Sequence, residues 1–298
     1  MAGVLTTLDP TVPGAAVRRP GHRRGLGGAL PAVPLLVVLG LLFVVPVAVV
    51  VGRSFTYPDG ATLANYRTAL TDPVARQFAW NTVRTALVVS VASCLLGYTY
   101  AYAMYRAGRT VRVLLLFCAL LPFWTSLLVR SYAWTVLLRD RGVLNEVLLQ
   151  LGVIDAPLPI LRTSLAVTLG MTQILLPFVI LPVYAAMTRF PPDLALAARS
   201  LGATRRRVFW EVFLPATMPG LVAGAVLAFI LAVGYYITPV LLGGPGDQPI
   251  AVLIENAVQQ RGDWGTAGAL STLVVVLVLA LLALGWRFLA KGLLGARR

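Results

Sequence analysis

Four aromatic side chains in this 298-residue sequence, Trp124, Tyr132, Tyr235 and Tyr236, suit contact with an organic cation, because the face of an aromatic ring attracts an ammonium group. The same residues also suit interfacial anchoring, since Trp and Tyr collect where a membrane meets water. Tyr235 and Tyr236 lie deeper in an uncharged stretch and are the better candidates for lining a path. Chemistry that makes or breaks covalent bonds finds little support. No GxxxxGK[ST] loop is present to cradle phosphates, no cluster has metal-ligand spacing, and the single histidine, His22, sits in a basic segment. Cys94 and Cys118 fall in apolar stretches, where small apolar filling is their ordinary role. No catalytic residue and no metal ligand is assigned, and the chain is not read as an enzyme.

A second kind of chemistry, reversible docking, is carried by LALAARSLGATRRRVFWEVFLP at 194–215. Pro191 and Pro192 stop the preceding apolar run, and Asp193 is expected to cap a short helix. Leu194, Ala197, Ala198 and Leu201 recur at i, i+3, i+4 and i+7, which puts one apolar face on two helical turns. Gly202 is a natural stop, and Thr204 can cap a second helix that opens with Arg205, Arg206 and Arg207. Arginines alone would suit anionic lipid headgroups. Ala197, Ala198 and Gly202 instead make a smooth surface that another backbone can approach closely, whereas a lipid-binding helix gains from larger anchors.

These residues must be positioned by elements immersed in lipid. Hydrophobic residues make up 58% of the chain and charged residues 12%, and the mean hydropathy is +0.84, far from soluble domains. Six windows are long and apolar enough to cross a bilayer: 34–51, 85–105, 113–129 with Pro122 inside, between Arg162 and Arg189, within 212–246, and between Asp263 and Arg287. Helices are expected, because backbone groups in lipid must be satisfied within each segment and the alternation of barrel strands is absent. With the N-terminus inside, 16 of the 25 basic residues and only three acids fall on cytoplasmic segments, so the positive-inside rule places both termini in the cytoplasm. The net charge of +14 follows from this topology and does not call for a nucleic-acid partner. Residues 1–31 read as a flexible basic cytoplasmic tail and 32–298 as the membrane domain, with the cytoplasmic loop at 190–216. The first apolar run is too long for the core of a cleaved signal peptide.

The cytoplasmic segment resembles the signature of permease subunits of binding-protein-dependent ABC importers, in which Glu-Ala-Ala, three residues and Gly are followed after about eleven residues by a Leu-Pro or Ile-Pro. Ala197, Ala198, Gly202, Leu214 and Pro215 stand at matching positions, with Ala203 beside the glycine. Leu196 stands where the family carries glutamate, so the carboxylate contact is lost. FWTSLLVRSYAWTVLLRDRGVLNEVLLQLGVIDAP (123–157), ILLPFVILPVYAAM (174–187) and YYITPVLLGGP (235–245) look like the spermidine/putrescine branch of that family. The resemblance implies an all-α membrane protein of the type I importer fold, with six spans and a coupling helix between the fourth and fifth. It implies a multi-pass protein of the bacterial cytoplasmic membrane that pairs with ATPase subunits, a second permease subunit and an extracytoplasmic solute-binding protein. ATP and Mg would be bound by the ATPase, and this chain would bind no cofactor.

Two residue-level expectations accompany that picture. The segment from Arg139 to Gly142 should form an outer turn followed by an amphipathic helix, either a docking surface for the binding protein or a cover for the bundle. The spans carry no acid, which fits a path that passes a polycation without holding it tightly. An autonomous secondary transporter or channel would call for intramembrane ionisable groups or inverted repeats, and neither is found. A membrane scaffold that moves no solute is the remaining alternative.

Overall fold

The computed structural model describes residues 33–58, 60 and 63–295, and every regular element among them is a helix. The expected basic tail, His22 included, lies outside the described residues. In chain order the α-helices are α1 (Val33–Thr56), α2 (Ala64–Thr71), α3 (Pro73–Arg106), α4 (Arg109–Leu120), α5 (Leu127–Leu137), α6 (Val143–Gln150) and α7 (Ser164–Thr188). They continue as α8 (Pro192–Ser200), α9 (Arg205–Val208), α10 (Leu214–Val233), α11 (Ile237–Leu242), α12 (Ile250–Gln259) and α13 (Trp264–Gly295). Residues 33–48, the described part of a first unit, are apolar helix exposed at nearly every residue, the surface a lipid-facing helix presents. The second unit, from Val49 onward, contains everything described below.

Local chemistry sets the starts of the long helices. At α3, the Asp72 carboxylate accepts from the Val74 amide at 2.9 Å, with Pro73 at the first helical position where its missing N–H costs nothing. At α7, the Thr163 hydroxyl accepts from the Ala166 amide at 3.3 Å.

The packed centre is the trio α3, α7 and α10, and small residues set its spacing. A Cβ placed on Gly220 of α10 would lie 2.5 Å from the Ala186 Cβ and 2.6 Å from the Pro182 carbonyl oxygen of α7. One placed on Gly224 would lie 3.0 Å from the Val179 Cα, and Gly97 of α3 meets the same valine from the other side at 2.8 Å. Lipid tails are as apolar as leucine, so close backbone approach and dispersion, rather than exclusion from water, must hold these helices together. Val179, Ile180 and Val183 are accordingly fully buried.

Two expected spans are interrupted. The window at 113–129 is not one straight helix: residues 109–124 and 127–137 are bent by 102° relative to one another, so the second unit contributes four straight candidate spans and one broken one. The cause is local. Pro122 lies in a 3-10 turn, Thr125 is extended, and both its amide and its hydroxyl fold back to the Pro122 carbonyl at 3.3 and 3.0 Å. The helix of the fifth expected span, α10, ends at Val233, and the uncharged stretch resumes only in the two-turn α11. Tyr235 and Tyr236 therefore occupy a break between helices and not the interior of a span.

Candidate functional site

The loop between α7 and α10 closes on itself through its own backbone. At the end of α8 the Gly202 amide donates to the Arg199 carbonyl at 3.0 Å and the Ala203 amide to the Ala198 carbonyl at 3.0 Å, the paired bonds of a Schellman stop. Gly202 takes φ +86°, a left-handed conformation that glycine enters without a Cβ penalty. Thr204 then caps α9 by accepting from the Arg207 amide at 3.3 Å, as its position in the sequence suggests. Asp193 does not cap α8: Pro191 occupies that position, and Asp193 sits within the first turn, where its charge meets the positive end of the helix dipole. Arg207 pairs with Glu211 one turn on at 2.9 Å, an exposed pair of small energetic weight.

Beneath this loop lies an aromatic platform that periodicity alone does not reveal. Residues Phe209–Phe213 form a π-helical turn running directly into α10. Phe213 is buried and touches four rings: Phe190 at the end of α7 (5.0 Å between centroids), Tyr105 and Tyr102 of α3 (5.3 and 5.8 Å), and Phe209 (5.9 Å). Phe209 meets Tyr102 edge-on at 5.4 Å. These rings connect the residues just before α10 with α3 and with the end of the preceding span. Ala195 of α8 packs on the same cluster. The signal was present as seven aromatics at 98–105 and 209–213, several at helical spacing, but a π turn shifts the register and hides it.

The opposite face of the loop is bare. Leu196 is 59% exposed, Leu201 90% and Trp210 57%, and Ala197 and Gly202 are exposed beside them. Ala198 and Ala203 are half-buried, while Leu214 and Pro215 open α10. Leu196, Ala197, Ala198, Gly202 and Ala203 thus share one connection, while Leu214 and Pro215 lie on the helix it leads into. Large apolar side chains are therefore exposed beside small ones on this loop.

The four aromatic candidates do not form one cluster. Trp124 is 71% exposed and stacks on Phe117 at 6.0 Å, and Tyr132 is 59% exposed on α5. Tyr235 and Tyr236 sit together in the break after α10. Tyr235 packs against the central core, and the Tyr236 hydroxyl donates to the Glu255 carboxylate of α12. Glu255 was legible only as an acid in an outer segment, because nothing in sequence spacing joins it to a tyrosine nineteen residues earlier. On neighbouring α5, the Arg130 Nη2 donates to the Thr125 carbonyl at 3.1 Å, and its buried Nε has no hydrogen-bond partner among the described residues.

The segment after Arg139 is the expected turn and helix: the Gly142 amide donates to the Arg139 carbonyl at 2.8 Å, and α6 follows. Buried Asn145 pins it, donating to the carbonyls of Arg139 and Leu158 at 3.1 and 3.0 Å and accepting from the Leu158 amide at 2.9 Å.

Comparison with known proteins agrees with the helical fold. Residues 93–291 match the family described as "Binding-protein-dependent transport system inner membrane component". The "Spermidine/putrescine transport system permease protein PotB" of Haemophilus influenzae is 36% identical over 255 residues, covering 86% of this chain and 87% of that protein. The protein of the same name from Escherichia coli strain K12 is 37% identical over 226 residues, covering 76% and 82%. Among solved structures, a chain of the bacterial alginate ABC transporter in complex with alginate pentasaccharide-bound periplasmic protein superposes with a TM-score of 0.67 at 18% identity, covering 87% of this chain and 94% of that one. That likeness extends to the fold.

Proposed function

The chain belongs to the family of binding-protein-dependent transport system inner membrane components, and from that premise we propose that it is the membrane-spanning permease subunit of an ATP-driven importer for polyamines of the spermidine and putrescine class. Relatives 36% and 37% identical to it carry that cargo in their names. It resides as a multi-pass protein in the bacterial inner membrane with both termini in the cytoplasm, a reading supported by its arginine distribution. ATP is hydrolysed in a separate ATPase subunit that binds the nucleotide and Mg. A second permease subunit completes the path, and an extracytoplasmic binding protein delivers the solute.

The observation that carries this reading is the cytoplasmic loop, bare on one face and seated on aromatics on the other. The exposed surface of Leu196, Ala197, Leu201 and Gly202 docks in a groove of the ATPase. When ATP closes the ATPase subunits, α8 is displaced with them. Phe190, Phe209 and Phe213 pass that displacement to α7 and α10, and Tyr102 and Tyr105 pass it to α3. Packed through Gly97, Gly220 and Gly224, the three helices move as a body and exchange inward-facing for outward-facing states. At the far end, Tyr235 and Tyr236 offer aromatic faces and Glu255 one carboxylate to an ammonium group in transit. Trp124 and Tyr132, both exposed on this chain, complete the path against the second subunit.

The test is uptake of radiolabelled spermidine by cells lacking this chain, with and without its restoration. Restored, energy-dependent uptake is expected. Unchanged polyamine uptake, with a different solute restored, would reassign the cargo, and no effect on any solute would remove the transport role.

A further inference from the structure

We propose that a polar cavity on the outer side of the second unit is a binding site for the phosphoethanolamine headgroup of a membrane phospholipid. The cavity, of about 250 Å³, lies between the first third of α3, the start of α7 and the turn at Pro245–Asp247, and is lined by Asn81, Arg84, Thr85, Ser164, Thr168 and Asp247. Its walls are tied across long stretches of chain: Asn81 donates to the Gly246 carbonyl at 2.7 Å, and the Ser164 hydroxyl donates to the Asp247 carboxylate. Asp247 also accepts from the Gly244 amide at 3.2 Å, which fixes its carboxylate in the lining. Arg84 lines the same cavity with no ion pair or hydrogen bond, and the hydroxyl of the adjacent Thr85 has no partner, among the described residues. The cavity therefore combines two free donors with an anchored carboxylate, the complement of a phosphate joined to an ammonium group.

Depth selects a lipid as the source. Arg84 and Arg106 belong to one continuous helix, about 22 residues apart, which at 1.5 Å per residue is roughly 33 Å, close to the thickness of the hydrocarbon core. With Arg106 at the cytoplasmic boundary, Arg84 stands at the level of the opposite phosphates. The remaining lining residues, Val88 and Leu165, are exposed, and Val88 lies one turn deeper than Arg84 on α3, where acyl chains would pass. The volume suits a headgroup and leaves the chains outside.

The test is native mass spectrometry of the full chain in the complex in which it is extracted, titrated with phosphatidylethanolamine, diacylglycerol of the same chains, and soluble phosphoethanolamine. Wild type should retain phosphatidylethanolamine, Arg84→Gln should retain it on the order of tenfold less, and Arg84→Lys should hold most of the binding. Arg67→Gln on α2, away from the cavity, should bind as wild type. Thr85→Val gives a second reading should Arg84→Gln not fold. Equal retention in wild type, Arg84→Gln and Thr85→Val would overturn the site, as would equal retention of diacylglycerol. Displacement of the lipid by an equal concentration of phosphoethanolamine would overturn the lipid as source and leave a site for the free headgroup compound. Since lipid retention is read without transport, its failure is distinct from failure of the importer reading.

Discussion

Replacement of Gly202 separates two roles that the coupling loop combines, a backbone turn and a docking surface. A Cβ at this position would meet nothing within 4 Å, so alanine adds no clash. The cost of Gly202→Ala is the left-handed backbone alone, since φ is +86°, and amounts to roughly 1–2 kcal/mol. Asparagine tolerates that region better, so Gly202→Asn should cost less. Tryptophan adds a similar backbone strain and, in addition, a bulky ring on the bare face beside Leu201 and Leu196. The assay is spermidine uptake and ATP hydrolysis by the complex in proteoliposomes. Transport should fall in the order wild type, Asn, Ala, Trp, with Gly202→Trp inserted at normal levels but inactive in uptake. Normal uptake by Gly202→Trp would refute the docking role, and equal losses in Ala and Trp would assign the whole effect to the turn.

Phe213→Ala empties the centre of the aromatic platform and should lower stability by about 3–5 kcal/mol, seen as a fall in the thermal unfolding midpoint, with hydrolysis outlasting uptake among the molecules that remain folded. Gly220→Leu forces atoms into the 2.5 Å gap against Ala186 and should cut the folded yield far more than the same change at exposed Gly246, as detergent-resistant monodispersity would report. Leu196→Glu restores the carboxylate of the family signature at an exposed position and should strengthen or preserve ATPase association; a sharp loss on co-purification would mean that the partner groove is fitted to leucine. Asn145→Ala removes three hydrogen bonds and leaves buried backbone groups unmatched, costing about 1–3 kcal/mol locally, so protease access to residues 139–158 should rise in right-side-out vesicles.

Much of this architecture is legible in the residues because the bilayer simplifies the problem. Charge-free windows mark α7 and α13 directly, and Gly202 with Thr204 marks the stop and restart of the loop. The failures have local causes. Pro122 looks tolerable within a span, but the extended Thr125 after it turns the chain through a sharp bend. Tyr235 reads as buried deep in a helix because no charge announces the break at Gly234. Asp193 has the right side chain for a cap, yet two prolines before it start the helix earlier. The pairing of Tyr236 with Glu255, and the convergence of Phe190, Tyr102 and Phe213, are tertiary facts with no one-dimensional period.

The importer account is tested most directly by extracting the tagged chain from native membranes in mild detergent and identifying what remains bound by mass spectrometry, with Gly202→Trp beside wild type. Wild type should retain a P-loop ATPase and a second multi-span subunit, and the variant should lose the ATPase while keeping the membrane partner. A wild-type chain that emerges without an ATPase, under conditions in which other ABC complexes stay whole, would contradict the account.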